Sequence, residues 1–110
     1  SFCYIDDAVE ILRRMLEADN CREKVLNLGM SSPEVTIAEV ALACFQAVGK
    51  RLEILPMPPT AGSPERRTPD MSAVLQLLDY ESKVELTDGI ERTWAWYKKK
   101  IFEGGESTAR

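Results

Sequence analysis

The sequence predicts a small mixed α/β domain of short strands and four helices. Short runs of aromatic and β-branched residues alternate with longer apolar stripes at helical spacing. The 110 residues amount to one domain. Hydrophobic residues at 45% and charged residues at 29% are ordinary for a globular chain and too apolar for a disordered one.

Phe2-Cys3-Tyr4-Ile5 reads as the first strand. Asp6 or Asp7 can cap the helix that follows, and Asp7 with Glu10 has the spacing of a capping box, with Asp in the Ser/Thr position. The helix they open has Val9, Leu12 and Leu16, joined by Ala8, Ile11 and Met15, as its buried stripe. Glu10 and Arg14 form an exposed pair one turn apart, and the helix ends near Ala18. Lys24 to Leu28 reads as a second strand and Gly29 to Glu34 as a turn. Thr36-Ile37-Ala38-Glu39 is a capping box for a second helix, whose inner face is Ile37, Val40, Ala41, Cys44, Phe45 and Val48. Gly49 stands where a left-handed C-terminal glycine belongs. Leu52 to Leu55 reads as a third strand, stopped by Pro56.

Pro56 to Pro69 is a loop, because four of its first nine residues are proline. Loops of this length in compact domains are functional or flexible. Asp70 or Ser72 caps a short third helix with Val74, Leu75 and Leu78 inside. Val84 to Leu86 is briefly extended, and Thr87 caps the last helix. Ile90, Trp94, Tyr97 and Ile101 share one face of it, and Lys98, Lys99 and Lys100 suit its C-terminal dipole. Of Trp94 and Trp96, at most one is core. Residues 1–102 are expected to form the domain and 103–110, with Gly104-Gly105, a frayed tail.

Composition excludes several functions. Fourteen Lys+Arg against eighteen Asp+Glu leave a net charge of −4, a poor match for duplex nucleic acid. With no histidine, every Ser/His or Cys/His triad is ruled out. Cys3, Cys21 and Cys44 contain no C-x-x-C pair and read as reduced thiols of a cytoplasmic protein. No apolar run approaches the roughly 20 residues of a membrane span. A strand opening directly on Ser1 reads as part of something longer.

Arg66-Arg67, in a Pro/Gly loop before a helix, is the best candidate for chemistry. Guanidinium groups bind phosphate at two points. On spacing alone, a solvated surface pair is the commoner outcome. Tyr4 sits at a strand-to-helix junction where its hydroxyl can face a ligand, and packing against the core is the plainer role. Lys98–Lys100 reads as a solvated helix end. No carboxylate spacing marks an acid/base pair, and no glycine-rich phosphate loop is present.

Four stretches, in order, resemble one family. Ser1-Phe2-Cys3-Tyr4-Ile5-Asp6-Asp7 is similar to its S-F-x-Y-V-x-D segment. Asn27-Leu28-Gly29 followed by Thr36-Ile37-Ala38-Glu39 is similar to N-L/I-G … T-I-x-E. Arg66-Arg67-Thr68-Pro69-Asp70-Met71-Ser72 is similar to R-R-x-P-D-I-S/K. Leu77-Leu78-Asp79-Tyr80-Glu81-Ser82-Lys83-Val84, with Leu86, Gly89 and Ile90, is similar to L-L-G-W-E-P-K-V-x-L-x-x-G-I/L. The family is the extended short-chain dehydrogenases/reductases that act on nucleotide sugars. Asp79 departs from its glycine and Ser82 from its proline.

The resemblance implies the C-terminal, substrate-binding part of an NAD-dependent epimerase, dehydratase or decarboxylase, leaning towards UDP-glucuronate decarboxylases. It implies a UDP- or dTDP-linked sugar as ligand and a homodimer for the whole enzyme. NAD and the Tyr-x-x-x-Lys pair are expected in an N-terminal Rossmann domain, since Ala8, Val84 and Ile101 stand four residues after the three tyrosines. No catalytic residue is therefore expected here. Arg67 matches the family arginine that reaches diphosphate or sugar acid, Arg66 is a weaker match, and Tyr4 matches a tyrosine near the pocket. Separated from such a domain, the helices are expected to leave an apolar patch exposed. The competing readings are a non-catalytic α/β ligand-binding or interaction module and a small nucleic-acid or anion binder built on Arg66, Arg67 and Lys98–Lys100, which the net charge of −4 disfavours.

Overall fold

Four α-helices carry the chain: α1 (Ile5–Glu17), α2 (Ile37–Val48), α3 (Ser72–Leu78) and α4 (Leu86–Tyr97). A 3-10 turn (Asp19–Cys21) follows α1, and a π-helical turn (Lys98–Phe102) extends α4. The computed structural model describes residues 1–30, 33–51 and 53–102. Among these there is no strand, so the architecture is helical and not the mixed α/β fold that the residue patterns predict.

The reason is local in each case. Strand-forming side chains make a strand only where another backbone supplies the ladder. Phe2–Ile5 gives up Ile5 to α1, whose first turn places Asp6 and Asp7 at the positive end of the helix. Gly29, just past the predicted strand Lys24–Leu28, lies against Pro69, a residue with no N–H to donate. Val84 and its neighbour Lys83 commit their N–H groups to a carboxylate, and Leu86 begins α4. Residues 53–55 join no ladder, and Leu52 lies outside the described residues, as does the predicted tail 103–110.

The chain divides into two compact units. The first comprises Ser1–Val35 and Leu55–Glu85. Its core is Ile11, Met71, Val74 and Tyr80, flanked by half-buried Met15, Leu26, Leu75 and Leu78. Asp7 is 2% exposed within it. This residue is not the predicted cap: Tyr4 occupies the N-cap position and Asp7 is the third residue of the helix. Its carboxylate accepts hydrogen bonds from the Tyr80 hydroxyl at 2.5 Å, the Lys83 N–H at 3.0 Å and the Val84 N–H at 2.9 Å.

Fixing Asp7 inward fixes the rotation of α1. Ile11, one turn on, is buried with it. Val9, Leu12 and Leu16 therefore lie on the opposite face and are exposed, as is Ile5, which corrects the predicted buried stripe. The outer surface also carries the expected Glu10–Arg14 pair at 2.7 Å, with Arg13 bridging Glu10 and Glu17. The Arg14 guanidinium covers the Tyr80 ring at 4.8 Å.

The end signals of α3 are partly as predicted. The Asp70 carboxylate accepts from the Ser72 hydroxyl and N–H at 2.6 and 2.9 Å, so it forms a turn beside the helix, while Met71 holds the N-cap position. Asp79 ends the helix at φ 46°, in the left-handed region where the family carries glycine. Before α3, Gly62 at φ 78° closes the turn Thr60–Ser63, where the third turn position demands positive φ.

The second unit comprises Thr36–Ile54 and the described part of Leu86–Arg110. Here α2 packs along α4. The predicted capping box is present: Glu39 N–H donates to Thr36 Oγ1 at 3.2 Å, and Thr36 N–H donates to the Glu39 carboxylate at 2.7 Å. Gly49 ends α2 at φ 71°. Val40, Ala41, Cys44, Phe45 and Val48 are half-buried as expected, but Ile37 is exposed. Thr87 lies inside α4 rather than capping it, because the helix begins at Leu86. Ile90 and Trp94 are half-buried, whereas Tyr97 and Ile101 are exposed. The π turn shifts the side-chain register of the helix end, and Trp94 packs against Phe102 at 5.8 Å between ring centroids. Trp96 is the exposed tryptophan of the pair.

Burial pushes the Asp7 carboxyl up, but the hydrogen bonds from Tyr80, Lys83 and Val84 outweigh it and hold it below its ordinary value. Asp7→Asn removes the charge and turns an amide N–H towards two donors, so it should cost about 2–4 kcal/mol. Tyr80→Phe, which removes one of the donors, should cost less, about 1.5–3 kcal/mol. Urea unfolding midpoints measure both. The Asp7 contribution is complete above about pH 4, the unfolded value, and is lost as pH falls through the lower folded value. The gap between the native protein and Asp7→Asn should therefore shrink below about pH 4.

Candidate functional site

Two segments of the first unit run past each other in opposite directions and leave a cleft. The Asn27 side-chain N–H donates to the Asp70 carbonyl at 2.9 Å. Gly29 meets Pro69 so closely that a Cβ at this glycine would stand 2.9 Å from the proline Cγ. The Glu34 carboxylate accepts from Arg66 Nε at 2.6 Å and from Arg66 Nη2 at 2.7 Å, a two-point ion pair. These contacts hold residues 66–70 against Asn27, Gly29 and Glu34, with no backbone ladder among the described residues.

The cleft encloses about 530 Å³ and is open to solvent on one side. Cys3, Leu28 and Met30 line one part of it, and Arg67, Thr68 and Pro69 another. The Ser1 nitrogen donates to the Arg67 carbonyl at 2.7 Å, which brings the start of the chain to the cleft rim. Arg67 is exposed, and its guanidinium has no ion pair or hydrogen bond among the described residues. Burial, and then the nearby Asp7 charge, raise the Cys3 thiol above its ordinary value, so at neutral pH it is a thiol and not a nucleophile.

The predicted site residues therefore separate. Arg66 and Arg67 both border the cleft, one engaged and one unengaged. Tyr4 is half-buried at the N-cap of α1 and outside the cleft lining. Glu34 is the residue that sequence reasoning missed, having left it at the end of a turn. One signal was available: it is the sole charged residue between Val25 and Ala38. Among the described residues, no group of His, Cys, Asp and Glu is arranged to hold a metal ion. No described helix is long and apolar enough to cross a membrane.

The motifs that frame this cleft resemble those of the extended short-chain dehydrogenases/reductases, and the curated proteins that match the chain share one name. The chain is homologous to UDP-glucuronic acid decarboxylases. It is 34% identical over 90 residues to UDP-glucuronic acid decarboxylase 6 of Arabidopsis thaliana, covering 82% of this chain and 25% of that protein. UDP-glucuronic acid decarboxylase 1 of the same plant is 31% identical over 106 residues, 96% of this chain and 24% of that protein. UDP-glucuronic acid decarboxylase 1 of Danio rerio is 29% identical over 101 residues, 92% of this chain and 23% of that protein. The chain thus spans about a quarter of the length of the curated relatives it matches. No family model and no solved structure matches it.

The Gly29–Pro69 approach gives a direct test of how the cleft is held. Gly29→Ala must force a rigid proline ring or its backbone aside, with a loss of about 1–3 kcal/mol. Thermal or urea unfolding should show it. Gly62→Ala, in open space but at positive φ, provides a comparison that leaves the cleft alone.

Proposed function

We propose that this chain forms the nucleotide-sugar-binding side of a UDP-glucuronate decarboxylase-like enzyme. Arg67 receives the diphosphate or the sugar acid. The observation that carries this reading is an arginine at the mouth of an open cleft, without a protein partner among the described residues, inside the Arg-Arg-Thr-Pro-Asp motif. A guanidinium meets two phosphate oxygens at once, which fixes orientation as well as charge. Leu28, Met30 and Pro69 offer apolar surface beside it.

NAD does not fit these residues. A dinucleotide site is built on a strand, a glycine-rich turn and a helix. The described residues contain no strand, and the sequence has no G-x-G-x-x-G. In this reading NAD and the Tyr-x-x-x-Lys pair belong to other polypeptide of the enzyme, and this chain binds and orients the sugar nucleotide. The exposed stripe Ile5, Val9, Leu12 and Leu16 is the face on which that polypeptide packs, in keeping with relatives roughly three to four times as long. The three free cysteines suit a cytoplasmic location.

Calorimetric titration of the complete native protein with UDP tests the reading. Arg67→Ala should weaken binding about 10- to 100-fold, and Arg67→Lys, which keeps charge but not the fork, should recover part of it. Unchanged affinity in Arg67→Ala would overturn the proposal and favour a non-catalytic interaction module.

A further inference from the structure

Two adjacent arginines border the cleft, and only Arg66 is engaged by another side chain. We infer that Glu34 is a positioning residue for the ligand arginine. Its carboxylate takes Arg66 in a two-point ion pair, pins the end of the proline-rich loop and sets Arg67 at the cleft mouth. The inference rests on the reading of Arg67 as the phosphate contact.

The geometry assigns this work to Glu34. Residues 55–71 contain no helix among the described residues, so the loop has little internal order. An arginine that must meet a phosphate needs its backbone held beforehand, otherwise binding has to order the loop as well. Four contacts hold it, at Asp70, Pro69, Arg67, whose carbonyl accepts from the Ser1 nitrogen, and Arg66, and the ion pair is the outermost of them along the loop. The pair also settles the charge. Two hydrogen bonds from Arg66 bring the Glu34 carboxyl down to about 2, so it is ionised at every working pH. Left unpaired, that carboxylate would repel a phosphate or capture Arg67. Paired, it presents no net charge. The side chains of Arg66 and Glu34 are 73% and 43% exposed, and exposed pairs contribute little to stability. Its effect should therefore appear in binding and not in unfolding.

UDP titration of the complete native protein, with thermal unfolding of each variant, separates the possibilities. Glu34→Gln should bind UDP about five-fold more weakly. Arg66→Gln should be weaker still, because it leaves the carboxylate bare. The double variant should return to the level of Glu34→Gln, and all three should keep native thermal midpoints. Reversing the pair, Glu34→Arg with Arg66→Glu, should restore native affinity, and it stands in should either single variant fail to fold. If Arg66 is instead a direct phosphate ligand, Glu34→Gln tightens binding and the double variant is as weak as Arg66→Gln. That outcome, or an unchanged Glu34→Gln, overturns the positioning role alone while Arg67→Ala still weakens binding. An unchanged Arg67→Ala removes the binding reading and this inference with it.

Discussion

Asp7 puts a negative charge among apolar side chains, and its surroundings are arranged to satisfy it. An isolated carboxylate there would be strongly unfavourable. Three donors from residues 80–84 meet it instead, so a helix at the start of the chain is tied to a segment more than seventy residues later. Tyr80 serves twice, as hydroxyl donor and as a core ring under the Arg14 guanidinium. Burial first, and then the Asp7 hydrogen bond, push its phenol up to about 12, so it remains a donor. One charged group thereby sets the rotation of α1 and the course of residues 80–84 after α3.

That rotation has a consequence for the surface. With Asp7 and Ile11 inward, α1 turns a second apolar stripe outward. The helix is apolar on two faces, and this unit covers one of them. The same rotation places Ser1 and Cys3 beside the arginine loop, since both precede a helix whose orientation is already decided. The cleft is in this sense downstream of the buried carboxylate. Its second wall depends on a different device, in which a glycine, an asparagine and a glutamate grip a loop that has no secondary structure to hold it.

Much of the local structure was legible in the sequence. The capping box at Thr36–Glu39, the glycine at the end of α2 and the Glu10–Arg14 pair all stand as expected. Each depends on residues within one or two helical turns, where spacing alone brings side chains together. The arginine loop was legible too, through its motif and its prolines. The strands were not. Phe2–Ile5 and Lys24–Leu28 have strand-forming side chains, but a strand is a relation between two backbones, and one segment's composition cannot report its partner.

What the sequence by itself determined is therefore the set of helices, both ends of α2 and the loop that bears Arg66 and Arg67. What only the tertiary structure decided is which face each helix buries and which arginine is left for a ligand. Apolar periodicity in α1 permits two inward faces, and the choice falls to Asp7, whose donors lie far along the chain. Arg66 and Arg67 are chemically identical, and they differ because a carboxylate 32 residues away reaches one of them. Both decisions depend on contacts between distant residues, which no local spacing encodes.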